Sequence, residues 1–182
     1  VKDAVIGVLE GTSEVARTTT PLVRDVVVGA IQGFTGLDAN LVTAVRDAVD
    51  GAIRGAVSVG VATDIAVAQA SQGAMEAVQD AGGDLSDAAR ATIAGVIYGV
   101  AAMGGDVIKE LQEPTRELIK KALSVGGDVV KVDQGAVEGA IDASKGLDVS
   151  STDAVFARVQ RRCNVRLRGG QLGGRRGPHG AV

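Results

Sequence analysis

Asp84-x-x-Asp87 is the part of this sequence that comes nearest to an acid–base arrangement. Carboxylates three residues apart share one face of a helix, where a general acid and a general base could act together. The same spacing has a plainer use. An Asp at a helix N-cap accepts hydrogen bonds from the free N–H groups of the first turn, and a second acid one turn in suits the helix dipole. The capping role is the one expected for Asp84, and again for Asp106 and Asp128. Two glycine pairs, Gly51-Ala-Ile-Arg-Gly55 and Gly95-Val-Ile-Tyr-Gly99, do not make phosphate loops, because no Lys-Ser/Thr follows them and no strand precedes them. Lys109, Arg116, Lys120 and Lys121 gather positive charge in one stretch, which reads as an ordinary solvated face or as a local docking site for an acidic partner.

The residues that most often do catalysis are missing from most of the chain. Cys163 and His179 are the only residues of their kind, and both follow residue 157. Residues 1–157 therefore cannot build a Cys–His pair, a Ser–His–Asp triad or a zinc site with those ligands. The expectation is a protein that is not an enzyme, with no cofactor, no metal and no small-molecule substrate.

What would position these residues is a repeat. Written in units of 22 from Val5, the third position reads Gly7, Gly29, Gly51, Gly73, Gly95, Glu117, Gly139, and the seventh reads Gly11, Gly33, Gly55, Ala77, Gly99, Lys121, Ala143. Seven units reach from residue 5 to residue 158. Within each, apolar residues recur at steps of three and four, the spacing of one helix face, and the sixth position (Glu10, Gln32, Arg54, Glu76, Tyr98, Lys120, Asp142) is expected to face water. The fourteenth position is Thr18, Asn40, Ala62, Asp84, Asp106, Asp128, Ser150, nearly all of them N-cap residues. Before it, Gly82-Gly83, Gly104-Gly105 and Gly126-Gly127 suit left-handed C-terminal caps. The prediction is an all-α chain of tandem amphipathic helices of about 18 to 20 residues, joined by tight turns into antiparallel neighbours in a bundle or α-solenoid. The alternative is long continuous amphipathic helices, since 22 is two elevens and an 11-residue period keeps an apolar stripe in phase. The Gly-Gly-Asp triplets and Pro114 favour turns.

Glycine decides how such helices must pack. A glycine inside a helix costs roughly 1 kcal/mol relative to Ala. Six at the third position and four at the seventh then cost on the order of 10 kcal/mol, comparable to a domain's whole stability. Aromatic side chains cannot offset this, because the chain has only Phe34, Tyr98 and Phe156 and no Trp. Close contact between helix backbones, of the small-xxx-small kind, is the expected compensation. Gly29, Gly33, Gly51, Gly55, Gly95 and Gly99 are the expected contact points.

The ends differ from the middle. Val1-Lys2-Asp3-Ala4 matches the close of a unit, as in Val23-Arg24-Asp25-Val26, which suggests that upstream residues are missing. Residues 1–158 form the repeat region, and 159–182 an Arg/Gly-rich tail that breaks the period and is expected to be disordered. Seven arginines and no acid follow residue 157, so the tail carries +7 and residues 1–157 carry 12 basic against 22 acidic groups, or −10. A basic arm of this kind could bind nucleic acid, but no aromatic is interleaved for base stacking. It also fits an unstructured tail or an out-of-frame reading. The longest uncharged run, Ala91 to Gly105, is shorter than the ~20 residues of a membrane-spanning helix. A lone cysteine is compatible with a cytoplasmic setting, in solution or peripheral on a membrane or granule.

Units such as Val137-Glu-Gly-Ala-Ile with Gly126-Gly-Asp128 resemble those of uncharacterised bacterial helical repeat proteins rich in Gly, Ala and Val. That resemblance implies helices and no particular activity. GVATDIAVAQ, residues 60–69, is more loosely similar to the 11-residue lipid-binding repeats of synucleins, whose flanking lysines are absent here. Two functional expectations follow. One is a structural assembly protein that packs through small-residue faces and self-associates at its exposed terminal units. The other is an amphipathic coat on a lipid or polymer-granule surface.

Overall fold

A computed structural model of the chain describes residues 1–12, 22–35, 40–124, 126–145 and 147. Every regular element among them is a helix: α1 (Lys2–Gly11), α2 (Leu22–Thr35), α3 (Leu41–Ser58), α4 (Thr63–Asp80), α5 (Leu85–Ala102), α6 (Val107–Glu110), α7 (Gln112–Ser124) and α8 (Val129–Ser144). The caps predicted at Thr18 and Ser150, and the whole 159–182 tail with Cys163 and His179, lie outside the described residues.

Helix starts follow the capping residues. α3, α4, α5, α6 and α8 begin at residues 41, 63, 85, 107 and 129, at intervals of 22. Asp84 Oδ1 accepts from the N–H groups of Ser86 (2.7 Å) and Asp87 (3.3 Å). Asp106 does the same for Ile108 and Lys109, and Asp128 for Val130 and Lys131. Asn40 accepts from Thr43 N–H at 3.3 Å, whereas Ala62 has no oxygen to offer and α4 starts without a side-chain cap.

Helix ends follow the glycine pairs, each glycine for its own reason. Gly82, Gly104 and Gly126 have φ of +68°, +69° and +68°, which disfavours any residue with a Cβ. The next residue donates its N–H back to the carbonyl of Val78, Val100 or Ala122, closing a Schellman turn. Gly60 (φ +92°) makes the same turn in a Val-Gly-Val context that the double-glycine pattern did not flag, although it stands one unit before Gly82.

These turns reverse the chain. Gly83, at the end of α4, lies against Leu41 at the start of α3, and Gly127, after α7, lies against Leu85 at the start of α5. Successive helices are therefore antiparallel. Continuous helices are not what forms: α3, α4 and α5 stop after 18 residues each. Pro114 acts as its chemistry requires. α6 ends at Glu110, and the proline stands in the first turn of α7, where its missing N–H costs little.

The helices lie in two rows, α1, α3, α5 and α8 in one and α2, α4 and α7 in the other. Contact is extensive along a row for α1 with α3, α3 with α5, α5 with α8 and α2 with α4, and weaker between sequence neighbours and between α4 and α7. α5 sits at the centre and is covered almost all round, with residues 91–97 all buried, so its pattern is less amphipathic than the repeat suggested. The core is Ile, Val, Leu and Ala, including Leu9, Ile31, Ile53, Ile93, Ile97 and Leu118. No described helix is long and apolar enough to cross a membrane.

Candidate functional site: a glycine-lined helix interface

Along each row, glycine lets one backbone rest on the next. A Cβ placed on Gly51 of α3 would lie 2.6 Å from the carbonyl oxygen of Lys2 in α1. On Gly73 of α4 it would lie 2.7 Å from the carbonyl of Arg24 in α2, and on Gly95 of α5, 2.6 Å from that of Arg46 in α3. On Gly139 of α8 it would collide with the carbonyl of Arg90 in α5. In all four pairs the glycine follows its partner by the same offset, two units and five positions. One contact is thus made four times at the third position of the unit. At each, the glycine hydrogen that stands where a side chain would be points at a carbonyl, the geometry of a weak Cα–H···O contact.

A turn further on, Gly55 meets Ile6 and Leu9 of α1, and Gly99 meets Ile53 of α3, where a Cβ would be 2.9 Å from Ile53 Cβ. Residue numbers rise together on both partners, from Lys2–Gly51 to Ile6–Gly55 and from Arg46–Gly95 to Ile53–Gly99, so helices within a row are parallel. Short connections correctly imply antiparallel sequence neighbours but say nothing about this second, tighter contact.

Of the expected contact points, Gly51, Gly55, Gly95 and Gly99 lie against another helix. Gly29 and Gly33 do not: among the described residues nothing stands within 4 Å of a Cβ on either, and both are exposed. This corrects the expectation for those two. Among the described residues, their helix, α2, has no partner before it in its row. Gly73 and Gly139 belong to the same third position and make the contact, while Gly135, against the Ser86 carbonyl at the same offset, has no glycine counterpart in other units and so no periodic signal.

The sixth position is also drawn into the interface. Glu76 of α4 is paired with Arg24 of α2 at 3.9 Å. Asp142 of α8 accepts from Arg90 of α5, with Nε at 2.9 Å, and from Lys145 at 3.0 Å. The Arg90 guanidinium, then the Lys145 ammonium, hold the Asp142 carboxyl below its ordinary range. Glu76 and Asp142, like Arg54 and Tyr98 at the same position, are half-covered and not simply solvated as the pattern suggested, whereas Lys120 is exposed. Asp50 of α3 moves the other way. Burial raises its pKa, opposed by the Arg54 hydrogen bond and by the charges of Arg54 and Lys2.

The remaining candidates are occupied locally. Asp84, Asp106 and Asp128 serve as caps. In the basic stretch, Arg116 pairs with Glu113, Lys120 with Glu117 and Lys109 with Glu110, each a close neighbour in sequence. No group of three or more His, Cys, Asp or Glu among the described residues could hold a metal ion.

No protein-family model matches the chain, and no curated protein matches it.

Proposed function

We propose that the chain is a non-catalytic structural module that packs through small-residue helix faces and assembles with itself. One observation carries this reading: a backbone contact made five times at one fixed offset along the chain, each time on a glycine and four times at the third position of the unit. A helix pays for interior glycine unless another surface lies against it. The recurring geometry of that surface, helix on helix, is what a stacked repeat module would need. Covering Val, Ile and Leu at about 1.5–3 kcal/mol each offsets the glycine cost in water without any lipid or granule. That weighs against the coating alternative, whose helices would keep their apolar faces open until they met an interface.

Circular dichroism of the full chain in plain buffer, with and without neutral liposomes, tests the choice. Full helicity in buffer, unchanged by lipid, supports a self-packed module. Helix gained only with liposomes would overturn it in favour of the coat.

A further inference from the structure

We infer that α6 and α7 form a strap that opens as a unit from the body of the molecule while α5 and α8 stay packed together. The strap is a moving part of the single chain, and it opens whether or not copies assemble.

The connectivity permits this. α6 and α7 lie in the chain between α5 and α8, yet α5 and α8 rest directly on each other, with Gly135 against the Ser86 carbonyl and Gly139 against that of Arg90. Theirs is the most extensive contact of any described pair, whereas α7 touches α4, α5 and α8 only lightly and α6 adds little. α4 holds the same place between α3 and α5 and packs more extensively on both, and on α2 as well. Standing last among the described helices of a row does not account for the difference. α8 is last in its own row and is firmly seated.

Residues of the strap and of its seat do account for it. Where Gly95 and Gly99 let α5 approach α3, α7 carries Glu117 and Lys121. On α4, the places of Arg46 and Val49 are held by Ala68 and Ser71. Ser71 is 3% exposed and its hydroxyl has no hydrogen-bond partner among the described residues, at a place filled by Val27, Val49 and Ile93 in α2, α3 and α5. Glu110 of α6 is 8% exposed, at a place filled by the buried Ala44, Ala66, Ala88 and Val132 in other helices. It pairs at 3.3 Å with the adjacent Lys109, whose side chain is 70% exposed. Buried polar groups so poorly partnered oppose the closed arrangement and are relieved when water reaches them. Pro114 has no N–H to give the Glu110 carbonyl, so the strap is divided into helices of 4 and 13 residues. Helices that short are marginal once detached from their neighbours, so opening also frees their amides. The glycine turns at Gly104 and Gly126 supply the pivots.

Native-state hydrogen exchange of the full chain, over a series of sub-denaturing urea concentrations, is the test. Amides of α7 are expected to exchange about 100-fold faster than those in the middle of α5 and α8, with a weaker urea dependence. End fraying would leave α8, which follows α7 in the chain, the less protected of the two; a strap leaves it the more protected. Ser71→Ala and Glu110→Ala should each slow exchange in α7 about tenfold, by removing a poorly partnered polar group from the closed arrangement. Gly95→Ala, which loosens the α3–α5 contact, should speed exchange in α5 and leave α7 as it was. Protection of α7 equal to that of α5 would overturn the inference, as would an α8 less protected than α7. So would exchange in α7 that neither Ser71→Ala nor Glu110→Ala slows, or that Gly95→Ala speeds as much as it speeds α5.

Discussion

Gly95 and Gly29 hold the same place in the repeating unit, and the molecule treats them oppositely. Gly95 is buried, with the Arg46 carbonyl and the Val49 side chain where its own side chain would be. Gly29 is exposed, with no described residue within 4 Å of where its side chain would be. The difference lies in the neighbours: α5 follows α3 along its row, whereas α2 is the first described helix of its row. Glycine therefore marks the face that receives a helix, whether or not one is present. A second contrast agrees. α8 has Gly139 and Ala143 at the third and seventh positions and packs on α5 more extensively than any other described pair, whereas α7 has Glu117 and Lys121 there and packs only lightly on α4.

Substitution can break this comparison at its strongest point. Gly95→Leu should lower stability by about 3 kcal/mol through overfilling, or about 6–12 °C in melting temperature for a chain this size. Gly29→Leu should lower neither. Equal losses in a calorimeter would abolish the distinction between covered and open glycines.

A third kind of glycine sharpens it. Gly82 is required by its φ of +68°, not by crowding, since a Cβ there would meet none of the described residues within 4 Å. Gly82→Ala should cost about 1–2 kcal/mol, and Gly82→Asn, which tolerates that conformation, should cost less. At Gly95 the order should invert, with Ala the milder change because the limit there is space. Urea denaturation of the four variants reads both orders.

The open face also predicts a gain. Gly29→Ala should stabilise by about 1 kcal/mol, the helix propensity of Ala over Gly, whereas Gly95→Ala should destabilise. Finding a gain at both positions by urea denaturation would mean that the α3–α5 contact is looser than described.

The smallest expected effect is electrostatic. Asp142 is lowered by Arg90 and Lys145, so its contribution is present above the unfolded carboxylate range and is lost as pH falls through the folded value. Asp50 is raised by burial, so it favours folding at acid pH and weakens it as pH rises through its folded value. Asp142→Asn should cost less than about 1 kcal/mol at pH 7, since both partners are more than a third exposed and screened. Its deficit should vanish in acid. Asp50→Asn should instead flatten the decline in melting temperature as pH rises from the unfolded carboxylate range through the folded Asp50 value.

Much of this fold could be read from residues alone because its signals are local. Caps at Asp84, Asp106 and Asp128, turns at Gly82, Gly104 and Gly126, and the break before Pro114 each depend on a few neighbouring atoms. That interior glycines need a covering surface was also legible, because their cost is intrinsic to the helix. Which surface covers them was not. The partner of Gly95 is Arg46, beyond the adjacent helix, and no periodicity within a unit distinguishes the neighbour from the next but one. For the same reason Gly29 and Gly33 read like Gly51 and Gly55, since an uncovered helix leaves no mark on the pattern it carries. Gly135, a single glycine at a position otherwise filled by Asp, Gln, Ala or Glu, carries no signal at all.

Nuclear Overhauser contacts from glycine α-protons to methyl groups would probe the backbone packing most directly. Gly95 should show them to Val49 and Gly99 to Ile53, linking helices two apart, and at concentrations where the chain is single Gly29 and Gly33 should show none to another helix. Contacts from Gly95 to the adjacent α4 in place of α3, or none to any helix, would contradict the account.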